Sequence, residues 1–167
     1  DEVPIHAGGK KVVIIGGGAI GCEFASTLAD LGASVTILEA LPKILPGCDE
    51  DVTRAVLQSF KKKGIEVRTG VAVKGHSGAG TADGGGGTVV SFGEDETIQT
   101  DLVVVSVGRV PYTDGLLEDG TAVVVGERGH LEVDELCRTA EPSVWAVGDA
   151  IATPQLAHVA FAEAILV

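Results

Sequence analysis

The sequence predicts an α/β fold built on a parallel β-sheet, and three observations support this prediction. Two short runs rich in β-branched residues, 11–15 and 34–38, are typical of strands that a parallel sheet buries on both faces. Apolar residues at helical spacing follow the first run at 20–31, and a second helix is predicted near 49–63 after the second run. Loops containing glycine or proline separate these segments. Strands that alternate with helices along a chain are typical of βαβ units.

The two predicted helices have recognisable ends. Gly32 follows the first helix directly, and Gly64 follows the second, as is common where helices end. The second helix begins with the acidic residues 49–51 and ends with the lysines 61–63. These charges complement the helix macrodipole at both ends. A third strand is expected to begin at 65–68.

The middle of the chain changes to a pattern of strands without helices. Segments 71–74 and 88–92 are predicted to be the arms of a hairpin around a glycine-rich loop at 76–87. We interpret that loop as a mobile linker, because neither a helix start nor a Gly-Lys-Ser/Thr sequence follows it. Residues 102–107 are predicted to form another fully buried strand.

The end of the chain is predicted to be loops and short strands, followed by a helix. Short strands are expected at 123–125 and 144–147, and an apolar helix at 156–167. Charge also shifts along the chain: the net charge is −1 over 1–83 and −11 over 84–167. We therefore predict two segments, with a boundary near residue 112.

Composition excludes several classes of function. The 167 residues are 45% hydrophobic, which is enough to form a core, and carry a net charge of −12. An excess of acidic residues argues against nucleic acids and anionic membranes as partners. No apolar run approaches the roughly 20 residues of a membrane span. The chain begins with Asp1 and contains no Met, so we expect it to be a piece of a longer protein.

The three cysteines predict neither a redox dithiol nor a metal site. Cys22, Cys48 and Cys137 are far apart, and no Cys-x-x-Cys or Cys-x₄-Cys pair is present. The spacing of zinc ligands is therefore missing. We expect these thiols to be buried or idle.

Residues 16–21 form a glycine pattern, G-x-G-x-x-G, between the first strand and the first helix. Gly16 is suited to the tight turn out of the strand, and Gly18 allows the backbone to approach a pyrophosphate without a Cβ between them. Gly21 allows the helix to pack closely against the sheet. Glu39 ends the next strand and could accept hydrogen bonds from a ribose. The pattern predicts a Rossmann-like site for a dinucleotide.

Glu39 also predicts which dinucleotide is preferred. A 2′-phosphate near this carboxylate would be repelled by up to about 4 kcal/mol per charge pair at an effective dielectric near 20. No Arg lies within the next three residues, and Lys43 is the nearest cation. NAD is therefore favoured over NADP, whereas the residues alone leave FAD open.

Several motifs in order resemble the flavoprotein disulfide reductases, and among them the NAD-binding domain of the dihydrolipoamide dehydrogenase group. The similarity covers essentially the whole chain. Its motifs lie at 15–23, 35–39, 105–111, 144–150 and 156–158.

The resemblance implies a role for each matching residue of an NAD site. Glu39 would bind the adenosine ribose, Val73 would contact the adenine, and Gly108 would face the nicotinamide. Glu23 would lie near the nicotinamide and the flavin, as a buried side chain or, alternatively, a partly exposed and ion-paired one. The NAD pyrophosphate would lie over Gly16, Gly17, Gly18, Ala19, Ile20, Gly21, Cys22 and Glu23.

The resemblance also implies contacts to FAD, which only the full-length parent would hold. Asp149 would bind the ribityl and phosphate portion of FAD. Gln155 stands where the family usually has Met, and the segment Gln155, Leu156, Ala157 and His158 would approach the flavin. The redox-active Cys-x₄-Cys would precede this chain and the catalytic His-Glu pair would follow it, so no catalytic residue is assigned here.

The implied fold is a Rossmann-like NAD-binding domain with a parallel sheet and a β-meander at 1–112, followed by a partial FAD-facing segment at 113–167. The implied parent transfers electrons from dihydrolipoamide to NAD. It would be a homodimer in a 2-oxo acid dehydrogenase complex, in the bacterial cytoplasm or the mitochondrial matrix. Two alternatives stay open: a reductase of another disulfide, of mercury or of another acceptor, and a non-catalytic NAD-sensing module.

Overall fold

The computed structural model describes residues 7–79 and 87–167, and these form two compact units. One unit runs to Gly108 and the other begins at Arg109. The predicted functional boundary near residue 112 stays a prediction. The first unit contains β1 (Lys11–Ile15), α1 (Ala19–Asp30), β2 (Ser34–Glu39), α2 (Glu50–Lys62), β3 (Glu66–Thr69), β4 (Val73–Ala79), β5 (Gly87–Phe92), β6 (Glu96–Thr100) and β7 (Leu102–Val105).

The predicted parallel sheet is confirmed. Four strands pair in the order β3-β2-β1-β7, all in parallel. Side chains of β1 alternate between two cores. Val12 and Ile14 belong to the cluster that includes the helix residues Ala25 and Leu28, whereas Val13 packs on the opposite face. Both faces of β1 are therefore covered, as its apolar sequence predicts.

Helices α1 and α2 lie close to their predicted positions. Helix α1 is followed by Gly32, which adopts a left-handed φ of 87°. Helix α2 has acidic residues in its first turn and lysines in its last turn, as expected from the macrodipole. The Lys63 ammonium lies 2.8 Å from Ser26 Oγ and 2.7 Å from Asp30 Oδ2. One side chain thus joins the ends of the two helices.

A three-stranded antiparallel meander, β4-β5-β6, covers the second face of the sheet. Val90 and Phe92 of β5 pack with Val13 and Leu38 of the parallel sheet. The expected loop at 76–87 is partly wrong, because β4 continues to Ala79 and β5 begins at Gly87, paired in register. Backbone ladder hydrogen bonds extend the hairpin despite the weak strand propensity of glycine. The remaining loop residues, 80–86, lie outside the described part of the chain. The sequence pattern does not predict strand β6.

Strand β7 differs from its prediction. It ends at Val105 rather than Val107, and it is not fully buried: Val105 is 64% exposed and Val107 is 72% exposed. Among the described strands β7 pairs with β1 alone, so it lies at the edge of the sheet, where it is less covered than the central strands. An apolar run alone does not distinguish a central strand from such an edge.

The second unit contains little regular structure. A single turn of 3-10 helix forms at Gly148–Ala150, and α3 spans Ala157–Leu166. The short strands expected at 123–125 and 144–147 are wrong, since only the isolated bridges Val125↔Leu131 and Arg138↔Trp145 form. A small hydrophobic core contains Leu131, Cys137, Ala146 and Ile151.

Helix α3 confirms the predicted final helix, yet it has no buried residue. Phe161 is 71% exposed and Ile165 is 86% exposed. In the part of the chain that the structure describes, no helix has the length and apolar character needed to cross a membrane.

Candidate functional site

The glycine-rich turn joins β1 to α1 at the carboxyl end of the parallel sheet. Gly16 adopts a φ of 106°, which strongly favours glycine, and its amide donates to the Leu38 carbonyl at 2.9 Å. Gly18 is the N-cap of α1, and the first helical hydrogen bond runs from the Cys22 amide to the Gly18 carbonyl at 3.0 Å. The predicted turn between β1 and α1 is therefore formed by these backbone contacts.

Ser106 lies beneath the first and last glycines of the turn. Its hydroxyl oxygen is 3.1 Å from the Gly16 carbonyl oxygen, to which it donates. A Cβ placed on Gly16 would overlap the Ser106 carbonyl, and one placed on Gly21 would come within 2.7 Å of Ser106 Oγ. Gly16 and Gly21 are thus required by close packing between β1, α1 and the segment after β7.

Gly18 has open space where Gly16 and Gly21 have none. Within residues 7–79 and 87–167, no atom other than those of its two chain neighbours lies within 4 Å of a Cβ built on Gly18. The first turn of α1 carries no acidic residue, and the N-cap makes no side-chain hydrogen bond. Helix amides ahead of Cys22 lack intrahelical partners and face this space with a partial positive charge. This open, uncapped helix start fits a phosphate group.

Glu39 lies beside the turn, as predicted, but with a bonding pattern that the sequence did not reveal. Its side chain is buried, with an exposed fraction of 8%. Carboxylate Oε2 accepts the Gly17 amide at 2.5 Å, and Oε1 accepts the Leu41 amide at 2.7 Å. One carboxylate oxygen is therefore hydrogen-bonded to the glycine turn, and the other to the loop that follows β2.

The loop after β2, residues 40–48, forms a cover over Gly17, and sequence reasoning missed it. The Leu45 amide donates to the Gly17 carbonyl at 2.8 Å, with Leu45 at a left-handed φ of 51°. Ile44 is 1% exposed, and its Cγ2 lies 2.6 Å from the place of a Cβ on Gly17. Two adjacent apolar residues within a proline-containing loop were the available signal.

The remaining residues of the predicted pyrophosphate segment differ in exposure. Ala19 and Ile20 are exposed at the start of α1. Cys22 is buried, and burial, with smaller contributions from Glu39, Cys48 and Glu23, raises the pKa of its thiol to about 11. Glu23 is exposed and forms no ion pair within residues 7–79 and 87–167, so neither its expected burial nor its expected ion pair is seen in this chain.

Val73 and Gly108 lie in the same unit as the glycine turn. Val73 begins β4 and packs against the cluster under the meander. Shortly before it, the Val71 amide donates to the Glu39 carbonyl at 3.0 Å, so the start of the meander is tied to the end of β2. Gly108 is exposed with a φ of 130°, and in the described part of the chain only its two neighbours in sequence have atoms near the place of a Cβ on it.

The predicted FAD-contacting residues lie together in the second unit. Asp149 is in the 3-10 turn, and the amide of the preceding Gly148 donates to Glu163 Oε2 at 2.6 Å. Arg109 Nη1 lies 3.6 Å from Asp149 Oδ2, and Arg109 Nη2 donates to the Gln155 carbonyl at 3.1 Å. The other predicted residues of this segment lie at or just after the N-cap of α3 and are exposed: Leu156, Ala157 and His158.

Comparison with known proteins identifies a family. The profile of the pyridine nucleotide-disulphide oxidoreductases matches residues 1–164. Dihydrolipoyl dehydrogenase of Geobacillus stearothermophilus is 41% identical over 162 residues, covering 97% of this chain and 33% of the relative. Dihydrolipoamide dehydrogenase of Chaetomium thermophilum is 40% identical over 170 residues, covering 100% of this chain and 32% of the relative.

Solved structures agree with these sequence relatives. The HOCl-induced flavoprotein disulfide reductase RclA of Escherichia coli superposes with a TM-score of 0.84 at 29% identity, over 92% of this chain and 34% of that chain. A water-forming NADH oxidase of Lactobacillus brevis, bound to NADH, superposes with a TM-score of 0.78 at 27% identity, over 94% and 35%. The chain thus spans about a third of the length of the proteins that it matches.

Proposed function

Because this chain belongs to the pyridine nucleotide-disulphide oxidoreductase family, we propose that its first unit binds NAD and orients it within a longer flavoenzyme. When bound, NAD supplies a nicotinamide ring that accepts or donates a hydride. The contribution of the chain is to bind and orient the dinucleotide.

The observation that supports this function is the pairing of an open helix start with a buried carboxylate. Gly18 leaves room at the N-terminus of α1 for a pyrophosphate. Glu39, attached to the adjacent Gly17 amide, is positioned to accept hydrogen bonds from the adenosine ribose. Each oxygen of the carboxylate accepts one backbone amide and retains acceptor capacity for a hydroxyl.

NAD is the proposed dinucleotide rather than NADP. The carboxylate of Glu39 would repel a 2′-phosphate. Arg68, a cation on the neighbouring strand β3, is already paired with Glu66 at 2.7 Å and Glu96 at 2.8 Å. Lys43 is exposed in the loop after Glu39 and remains the nearest cation in sequence.

We propose that the second unit contributes to an FAD site completed by the rest of the parent. Asp149 is held near Arg109, while Glu163 fixes the amide of Gly148 next to it. With these contacts beside it, the Asp149 carboxylate is positioned to accept hydrogen bonds from the hydroxyls of a ribityl chain. Gln155 and the start of α3 would approach the flavin ring.

The proposed parent oxidises dihydrolipoamide to lipoamide and reduces NAD to NADH, as the names of the relatives suggest. Its proposed setting is a homodimer in a 2-oxo acid dehydrogenase complex, in the bacterial cytoplasm or the mitochondrial matrix. An NAD module of another flavin-linked reductase is the second candidate, because RclA and the NADH oxidase share this fold. A non-catalytic NAD-sensing module is the third.

Calorimetric titration of the 167-residue chain with NAD, NADP and FAD tests the proposal. We expect NAD to bind, NADP to bind more weakly, and lipoamide turnover by this chain alone to be absent. Absence of NAD binding would refute the proposed function. Turnover of lipoamide or of an artificial electron acceptor by the purified chain would refute the role as a binding module within a larger active enzyme.

A further inference from the structure

We propose that Glu39 is a positioning residue for the phosphate-binding turn in addition to its contact with the ribose. This inference rests on the proposed NAD site. In this role the carboxylate holds the Gly17 peptide in place before any ligand arrives. Loss of Glu39 then weakens the binding even of ligands that lack the ribose hydroxyls it would contact.

Both polar atoms of Gly17 are already engaged within the chain. Its amide donates to Glu39 Oε2 at 2.5 Å, and its carbonyl accepts the Leu45 amide at 2.8 Å. The carbonyl also lies 3.5 Å from the Cys22 thiol. Gly17 therefore has no free amide to offer a phosphate, and its place in the turn is structural.

The packing around Gly17 supports a structural role for Gly17 and a ligand-binding role for its neighbour Gly18. Gly17 is buried, and Ile44 occupies the space in which a side chain would lie. Gly18 beside it is open, because among the described residues beyond its two chain neighbours no atom lies within 4 Å of a Cβ built on it. The phosphate therefore contacts the open side of Gly18 and the free amides at the start of α1, while Gly17 fixes the angle at which these are presented.

A carboxylate is suited to this position because two donors converge on it. Oε2 accepts Gly17 and Oε1 accepts Leu41, and both amides are hydrogen-bonded to a charged group. A glutamine side chain has a single carbonyl oxygen, so it accepts only one of the two amides and turns its NH₂ group toward the other. Ribose recognition and the geometry of the phosphate turn are thereby coupled through one side chain.

The test combines two ligands with two protein variants. ADP carries the diphosphate and both ribose hydroxyls, whereas 2′,3′-dideoxy-ADP carries the diphosphate without them. We expect Glu39→Ala and Glu39→Gln to weaken binding of both ligands by roughly tenfold or more, as expected for the loss of a preorganised, charge-assisted hydrogen bond. Calorimetry of the whole chain measures all four affinities against wild type.

Two control variants separate positioning from other effects. Asp95→Ala removes an equally negative side chain from the exposed turn between β5 and β6 and should leave both affinities unchanged. Val13→Ala removes volume from the core on the meander face, and lowers stability without touching the bond to Gly17. Both ligands should keep wild-type affinity in Val13→Ala at a temperature where the variant stays folded.

Amide hydrogen exchange measured by NMR provides a readout without ligand. The Gly17 amide should exchange at least about tenfold faster in Glu39→Ala than in wild type, with the Val13 amide unchanged. The proposal is overturned if Glu39→Ala weakens ADP but leaves dideoxy-ADP at wild-type affinity, since Glu39 would then act only through the ribose. Failure of wild type to bind ADP and NAD refutes the NAD site instead, and Gly17 exchange then still decides whether Glu39 positions the turn.

Discussion

The carbonyl oxygen of Gly16 occupies the place where a side chain on Gly21 would have to begin. The residue that follows β1 and the first turn of α1 are therefore in backbone contact at this point. Gly18, between them in sequence, has open space around the same position. The glycines of one motif thus divide into two that close the fold and one that leaves room for a ligand.

Alanine at Gly21 should lower stability, whereas alanine at Gly18 should lower the affinity for NAD. Gly21→Ala forces a methyl group against backbone that cannot move aside, and should lower the unfolding free energy by about 3 kcal/mol or prevent folding. Gly18→Ala should keep stability within about 1 kcal/mol of wild type and still weaken NAD binding, because its methyl group enters the space proposed for the phosphate. Urea denaturation and calorimetry measure the two properties. Unchanged NAD affinity in folded Gly18→Ala would remove the phosphate from this position.

Cofactor preference should change when the carboxylate at the end of β2 is replaced by a cation. Glu39→Arg removes the repulsion of a 2′-phosphate and supplies a guanidinium that can bind it, so the ratio of NADP to NAD affinity should rise. The affinity for both cofactors should nevertheless fall, because Gly17 loses its acceptor. Titration of the variant with both cofactors measures the ratio and the total loss. An unchanged preference for NAD would mean that Glu39 does not contact the ribose.

The three thiols should differ in reactivity. Cys48 is exposed, whereas Cys22 and Cys137 are each only 6% exposed. A thiol reagent should therefore modify one cysteine rapidly in the native chain and all three in denaturant. Cys48→Ser should abolish the rapid phase while leaving the two slow sites. Rapid modification of either remaining thiol in that variant would contradict the burial of Cys22 or Cys137.

Stability should fall in alkaline solution because of Cys22. The thiol has an ordinary pKa of 9.0 and a pKa of about 11 in the fold, so the unfolded chain loses this proton first as pH rises. Stabilisation by the neutral thiol is thus complete below pH 9 and decreases between pH 9 and 11, by up to about 3 kcal/mol. The difference in unfolding free energy between wild type and Cys22→Ala, followed from pH 8 to 10.5, isolates this contribution. A difference independent of pH would disprove it.

The two units should also differ in local stability. The second unit has one small core and two isolated bridges, and its helix α3 has no buried residue. Amides of 113–167 should exchange with solvent well before those of β1, which is buried and paired on both sides. Hydrogen exchange followed by mass spectrometry measures this directly. Equal protection in both regions would instead indicate one cooperative core.

The parallel sheet and the glycine turn could be predicted from sequence because their signals are local. The run at β1, the spacing of α1 and the glycine pattern each lie within a few residues, and each was found at its predicted place. The edge position of β7 could not be predicted, since apolar character does not specify how many neighbours a strand has. The same limit applies to the single bridges of the second unit, where valine runs suggested strands.

The contacts around Gly17 were beyond sequence reasoning for a different reason. The number of residues between the glycine motif and Glu39 predicts Glu39 as a site residue. Its hydrogen bonds to the Gly17 and Leu41 amides, however, depend on how the loop after β2 folds back. That return requires Leu45 in a left-handed conformation, which no residue preference predicts for leucine. Long-range contacts of an irregular loop are set by the tertiary structure rather than by local pattern.

The two edges of the parallel sheet are protected to different degrees. Strand β3 carries Glu66 and Arg68, and charged side chains on an edge discourage a foreign strand from pairing there. Strand β7 carries no charge over its four residues and exposes Val105. Within residues 7–79 and 87–167, β7 pairs with β1 alone, so we expect its outer edge to be more open to pairing with a foreign strand than that of β3. Replacing Val105 with lysine should raise solubility, because the charge would discourage a foreign strand from pairing with β7 as the charges of β3 already do.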